Sequence, residues 1–292
     1  MTVFTGSGTA LITPFTEDSI DFSAFSKQID FQLENKTDAL VVCGTTGEPS
    51  TMSKDEKKQA IKFVIDKAEK KVPVIAGTGG NNTAKVIRDS QEAQKLGADA
   101  LLVVLPYYNR TSQRGLVAHF NAIADNVDIP IIIYNVPSRT VINLCPETLA
   151  EIAQHKNIVA IKEASANIHQ VEDMARLCPD IDIYSGDDFI VLPILASGGK
   201  GVISVVSNIA PRQMHDLVES FLSGDIDTAR KLQYKLNPLT EGLFLEVNPI
   251  PLKSAMDILG MQPGKLRLPL YEMSDCNKEY LIKAMKDFGF NV

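Results

Sequence analysis

The sequence holds little of what metal and redox sites are made from. Among 292 residues there are four cysteines, Cys43, Cys145, Cys178 and Cys276, and none forms a C-x-x-C pair. A zinc knuckle or a thioredoxin-type centre is therefore not expected, and the four read as reduced thiols, some of them core filler. The four histidines, His119, His155, His169 and His215, have neither HxH nor HExxH spacing, so no histidine metal site is expected. A phosphate-cradling GxxxxGK[ST] loop is missing too. No basic tract occurs, and 29 basic against 36 acidic residues leave a formal charge of −7. That balance argues against nucleic acid or anionic membranes as main partners. The apolar runs are far shorter than a membrane span. Residues 1–8 lack the charged and apolar regions of a signal peptide, so a cytoplasmic, metal-free protein is expected.

Hydrophobic residues make up 45% of the chain, enough for a sizeable core, and the 22% that are charged are dispersed. Eight short apolar runs fall near 9–11, 39–43, 72–77, 100–105, 129–134, 158–162, 181–185 and 201–206. They are rich in Val and Ile and bounded by Gly, Pro, Asn or Asp, as parallel strands buried on both faces require. Helical periodicity fills the gaps. Ala60, Ile61, Val64, Ile65 and Ala68 share a face, behind a capping-box spacing from Ser53 to Glu56. Leu116, Val117, Phe120, Ile123, Ala124 and Val127 make a second stripe. Met214, Leu217, Val218 and Phe221 make a third, stopped by Gly224. From Asp225 onward only helical patterns remain, with Pro238 implying a kink. An α/β fold follows: a (β/α)₈ TIM barrel over residues 1–224 with a C-terminal helical region over 225–292. The alternative is an open doubly wound sheet.

Barrels carry their reactive groups at the C-terminal ends of strands. The sixth run reads Ile158-Val159-Ala160-Ile161-Lys162-Glu163-Ala164. Alternation puts Ala160, Lys162 and Ala164 on one face, with Val159 and Ile161 toward the helices. An inward lysine is costly unless paired or used. It is either a desolvated, nucleophilic amine or one half of an internal ion pair, for instance with Glu163. The fifth run ends at Tyr134, either a proton relay or an aromatic plug, and Arg139 follows, either a carboxylate clamp or a surface arginine. Gly44-Thr45-Thr46-Gly47-Glu48 offers hydroxyls and a bendable backbone suited to an anion. Pro106-Tyr107-Tyr108-Asn109 places an aromatic pair at a rim, as part of a site or an interface.

Taken together, these segments resemble the dihydrodipicolinate synthase/N-acetylneuraminate lyase family. The match rests on Gly44–Glu48, Tyr107-Tyr108-Asn109, Tyr134-Asn135-Val136-Pro137-Ser138-Arg139-Thr140 and Ile161-Lys162-Glu163-Ala164. Ser185-Gly186-Asp187-Asp188, Gly199–Ser204 and Asn248-Pro249-Ile250-Pro251-Leu252-Lys253 extend it over essentially the whole chain. The resemblance implies a class I lyase that condenses pyruvate with L-aspartate 4-semialdehyde, toward diaminopimelate and lysine. It implies a covalent pyruvate imine on Lys162 and no other cofactor. It assigns a proton relay to Thr45, Tyr134 and Tyr108, the last reaching in from a neighbouring subunit of a tight dimer that assembles into a tetramer. The Thr45 and Thr46 backbone would hold the pyruvate carboxylate, Arg139 that of the semialdehyde, and Gly186 and the Ile203 carbonyl would line the pyruvate end. The alternatives are a 2-keto-3-deoxy-sugar-acid or N-acetylneuraminate-type pyruvate aldolase, or a non-catalytic pyruvate-binding barrel. In feedback-regulated relatives lysine sits in a dimer cleft, which Asn81 and Tyr107 match. Lys54, Lys57, Lys85 and Pro49 depart from it, which implies that free lysine does not inhibit.

Overall fold

The computed structural model describes residues 1–292. Eight parallel strands close into a barrel in chain order: β1 (Gly6–Ala10), β2 (Ala39–Val42), β3 (Val74–Gly77), β4 (Ala100–Val104), β5 (Ile131–Asn135), β6 (Ile158–Glu163), β7 (Asp182–Ser185) and β8 (Gly201–Ser204). Helices α1 (Phe22–Glu34), α2 (Lys54–Ala68), α3 (Thr83–Leu96) and α4 (Gln113–Ala124) follow the first four strands. After β5 come the short α5 (Pro137–Thr140) and α6 (Pro146–Ile152), then α7 (Ile168–Leu177) after β6 and α8 (Val191–Ala196) after β7. The chain ends with α9 (Pro211–Leu222), α10 (Ile226–Leu243), α11 (Ile250–Ile258) and α12 (Asp275–Phe288). The fold is the α/β TIM barrel that the alternating pattern predicts. No helix is long and apolar enough to cross a membrane.

The expected capping box at the start of α2 is present in atomic detail. Ser53 caps α2 by accepting from the Glu56 amide, and Glu56 reaches back to the Ser53 amide. Asn82 caps α3 and Gly97 ends it in a left-handed turn. Pro238 lies inside a continuous α10. That helix, with α11 and α12, shares one apolar cluster with α8 and α9, built around Leu195, Met214, Leu217, Leu236, Leu243, Met256 and Met285.

Two strands differ from the sequence pattern. β1 starts at Gly6, three residues before the apolar run, because its outward side chains are polar and satisfied internally. Thr9 donates to Gln32 Oε1 at 2.7 Å, and Ser7 and Ser207 hydroxyls lie 2.8 Å apart. At the closing seam β1 meets β8, and a Cβ on Gly201 would fall on the Gly6 carbonyl oxygen. On β6, Ile158 and Ala160 pair with the consecutive Ile131 and Ile132, so Val159 is an extra, bulged residue. Val159 therefore packs in the barrel interior rather than toward the helices, while Ile161 joins the outer core as the alternation requires.

An ion pair deep in the protein ties the C-terminal region to the loop after β2. Lys253 on α11 stands 2.6 Å from Glu48, and both side chains are essentially inaccessible to solvent. Glu48 also accepts from the Arg267 amide, while Lys253 donates to the Lys265 carbonyl. Removing one partner of a buried pair leaves a lone charge and costs about 3–5 kcal/mol. Lys253→Met is therefore expected to lose stability on that scale, and Glu48→Gln/Lys253→Met to lose less. Denaturant unfolding of both variants tests this, and a Lys253→Met protein as stable as the parent would refute the constraint.

Candidate active site

The C-terminal ends of β2, β5, β6 and β7 converge on a cavity of about 260 Å³, walled by Thr45, Thr46, Tyr134, Arg139, Lys162 and Gly186 among others. Lys162 lies in register with Tyr134 on β5 and Tyr184 on β7. It is 5% exposed, and its Nζ sits 4.4 Å from the centre of the Tyr134 ring. Burial pushes its pKa down from 10.5 to about 8; the Asp188 carboxylate opposes that shift and the Arg139 charge adds to it. A lysine poised there has a substantial neutral fraction near neutral pH, which is the nucleophilic form.

The ion-pair alternative for Lys162 does not hold. Glu163 is buried but turned toward other partners, accepting from the Ser165 amide at 2.6 Å and from Asn135 Nδ2 at 2.9 Å. The carboxylate that acts on Lys162 is that of Asp188, held by the Val205 and Val206 amides at 3.0 and 3.3 Å. Burial lifts Asp188 itself to about 6.

Tyr134 is pushed up to about 12 by burial, against the influence of Arg139 and a hydrogen bond with Thr45. The phenol thus keeps its proton at neutral pH and can lend it to a neighbouring oxygen. Gly186 is needed for space: a Cβ there would stand 3.0 Å from the Cγ and Cε atoms of Lys162. Thr45 and Thr46 lie in a single 3-10 turn after β2. Arg139 is largely exposed on α5 and donates to the Asn248 carbonyl at 3.2 Å.

Two expected residues stand apart. The Ile203 side chain belongs to the buried interior cluster with Tyr134, which leaves only its carbonyl for the expected role, and Val205 lines the cavity wall. Tyr108 is 92% exposed, in the loop after β4 with φ +70°, and does not line the cavity. Asn248, which no strand-end rule singles out, belongs to the site as well. Its Nδ2 donates to Thr46 Oγ1 at 2.9 Å, so one residue contacts both the threonine turn and Arg139. Asp187, Phe189 and Phe244 also line the wall. Asn248 and Phe244 come from the C-terminal helical region, which strand-end reasoning does not search.

The arrangement agrees with comparison to known proteins. The model of the dihydrodipicolinate synthetase family matches residues 3–288. The 4-hydroxy-tetrahydrodipicolinate synthase of Caldicellulosiruptor bescii is 57% identical over 293 residues, spanning 100% of this chain and 99% of its own. That of Thermoanaerobacter pseudethanolicus is 53% identical over 291 residues, spanning 99% and 98%. The crystal structure of dihydrodipicolinate synthase from Thermotoga maritima superposes with a TM-score of 0.96 at 41% identity, covering 99% of both chains. With a closed barrel, a lone buried lysine at the end of its sixth strand and relatives matched end to end, this chain belongs to the dihydrodipicolinate synthetase family.

Proposed function

We propose that the chain condenses pyruvate with L-aspartate 4-semialdehyde through an imine on Lys162, the activity of a 4-hydroxy-tetrahydrodipicolinate synthase, on the route to diaminopimelate and lysine. The observation that carries this reading is Lys162 itself: buried, without an ion pair, depressed to about 8 and set against the Tyr134 ring. The neutral amine attacks the keto carbon of pyruvate, and loss of water gives an imine. Once protonated, the imine withdraws electrons, so a methyl proton leaves and an enamine forms. The enamine carbon attacks the aldehyde carbon of the second substrate. The semialdehyde amine then attacks the imine carbon and expels Lys162, closing the six-membered ring. The imine is the electron sink throughout, so the scheme calls for no metal or organic cofactor.

Roles for the other residues follow from position. The turn at Thr45 and Thr46 supplies backbone donors for the pyruvate carboxylate, and Gly186 keeps that end open. We assign to Tyr134 and Thr45 the movement of protons at the carbinolamine and aldehyde oxygens. Arg139 lies at the exposed side of the cavity with a carbonyl already orienting it, as a clamp for the second carboxylate requires. Tyr108, exposed on its own chain, completes the relay of a neighbouring subunit in a tight dimer, and two such dimers form a tetramer. The cytoplasm is the proposed location.

Three outcomes are expected. Borohydride with pyruvate should trap one reduced adduct per chain on Lys162, faster as pH rises through about 8 and levelling above it, because the amine must lose its proton. The Arg139 charge lowers this pKa, so Arg139→Ala should move the inflection upward. A pH-independent trapping rate would contradict the mechanism. Second, Arg139→Ala should cost about a hundredfold in kcat/KM for the semialdehyde and far less in pyruvate affinity. Equal losses would reject the clamp. The same coupled assay, run beside cleavage of 2-keto-3-deoxy sugar acids and N-acetylneuraminate, separates the condensation from the aldolase alternatives. Third, mixing inactive Tyr108→Phe and Lys162→Ala chains should restore part of the activity, since hybrid dimers hold one intact site. No recovery after proven subunit exchange would place Tyr108 in its own chain's site.

A further inference from the structure

The second substrate of the proposed reaction carries two charges besides its aldehyde: an α-carboxylate and, on the same carbon, an α-ammonium. Arg139 takes the first; the second calls for an anion. Three charged side chains line the catalytic cavity, Arg139, Lys162 and Asp187, and Asp187 is the lone acid among them. Its charge is not neutralised within the chain. Oδ1 accepts from the Phe189 amide at 2.9 Å, while Oδ2 has no hydrogen-bond partner. Asp187 forms no ion pair, although Arg139 lines the same cavity.

The other acids at this end of the barrel are engaged elsewhere. Glu163 is held by Asn135 and the Ser165 amide, and Asp188 by the Val205 and Val206 amides, outside the cavity wall. Asn248 Oδ1 is unpartnered, but it is closed to solvent and carries no charge. Asp187 is half-buried, so an ion pair formed there is screened less than one on the open surface. The turn that carries it is fixed: the Ser185 hydroxyl donates to the Asp187 carbonyl at 2.7 Å and accepts from its amide at 3.3 Å. Gly186, just before it, lies against the Lys162 stem. Tyr134 senses both charges. Burial is the main cause of its raised pKa, Arg139 opposes that shift and Asp187 adds to it, so opposite charges act on one phenol at the reacting centre.

On the condensation proposed above, on which this role rests, we infer that Asp187 holds the α-ammonium of L-aspartate 4-semialdehyde while Arg139 holds its α-carboxylate. The pair forms one clamp for an amino acid and leaves the aldehyde arm free to reach the enamine on Lys162. A charge-assisted contact at each end fixes orientation as well as affinity. It also holds the substrate nitrogen next to Gly186, near the imine carbon that it attacks to close the ring. Acceptor aldehydes without an ammonium, sugar-derived ones included, leave the Asp187 carboxylate unpaired and are disfavoured. Asp187 is thus a specificity-determining residue that acts on the second substrate and not on the first.

Steady-state kinetics of Asp187→Asn test this, because the new side chain can still accept from the Phe189 amide but carries no charge. Its kcat/KM for L-aspartate 4-semialdehyde should fall about a hundredfold. Succinate semialdehyde keeps the aldehyde and the carboxylate but lacks the amine, so its inhibition constant should change by less than about threefold. Borohydride trapping of pyruvate on Lys162 should be unaltered, since Asp187 is not among the charges that act on that amine. Asp187→Glu, which keeps the charge, should recover part of the lost kcat/KM, and Asp187→Ala should recover none. Undiminished use of the semialdehyde by Asp187→Asn, or an equal weakening of both aldehydes, overturns the role of Asp187 and leaves the Lys162 chemistry standing. Failure of the wild type to trap pyruvate overturns the condensation itself, and this role with it.

Discussion

An ammonium inside an apolar barrel has to be compensated, and Lys162 is compensated only weakly, by one carboxylate that acts without an ion pair. Its surroundings follow from that constraint. Glu163, next in the chain, would quench the amine if it turned inward; instead Asn135 and the Ser165 amide hold it away. Asp188 is near enough to influence the lysine yet is anchored by two backbone amides on the β8 side. Gly186 clears space that any side chain would take. Were the Glu163 carboxylate to join that of Asp188, the amine would be held in its charged form, of no use as a nucleophile at neutral pH.

The barrel supplies the lysine and the tyrosine, but the C-terminal region holds the rest of the site in shape. Asn248 grips Thr46 with its amide and Arg139 with its carbonyl, and Lys253 reaches the same loop through Glu48. The shared apolar cluster beneath α10, α11 and α12 fixes this segment to α8 and α9. Thr46 and Arg139 are thereby referenced to one short stretch of chain.

Much of this could be read from residue order. Parallel strands buried on both faces announce themselves as Val- and Ile-rich runs, strand alternation turns Lys162 inward, and Tyr134 stands at a strand end. What stayed hidden depended on partners distant in sequence. β1 is polar where Ser7 and Thr9 meet Ser207 and Gln32, and no local pattern shows that those hydroxyls are satisfied. The Val159 bulge arises from register with β5, which alternation within one strand cannot reveal. Asn248 looks like any polar loop residue until the chain brings it beside Thr46, about two hundred positions earlier. That Lys162 is not paired with Glu163 also needed three dimensions, because it turned on where Glu163 points.

The glycine contact between β1 and β8 has a consequence for how the molecule comes into being. Gly6 and Gly201 are neighbours in space but separated by almost the entire barrel in sequence. Ordering so long a loop costs entropy that the neighbouring strand pairs do not incur. Until residue 201 has left the ribosome, β1 has no partner on one side, and its amides and carbonyls form an open sheet edge able to pair with another chain. Polar Ser7 and Thr9, puzzling as barrel residues, keep that unfinished edge from being an apolar one.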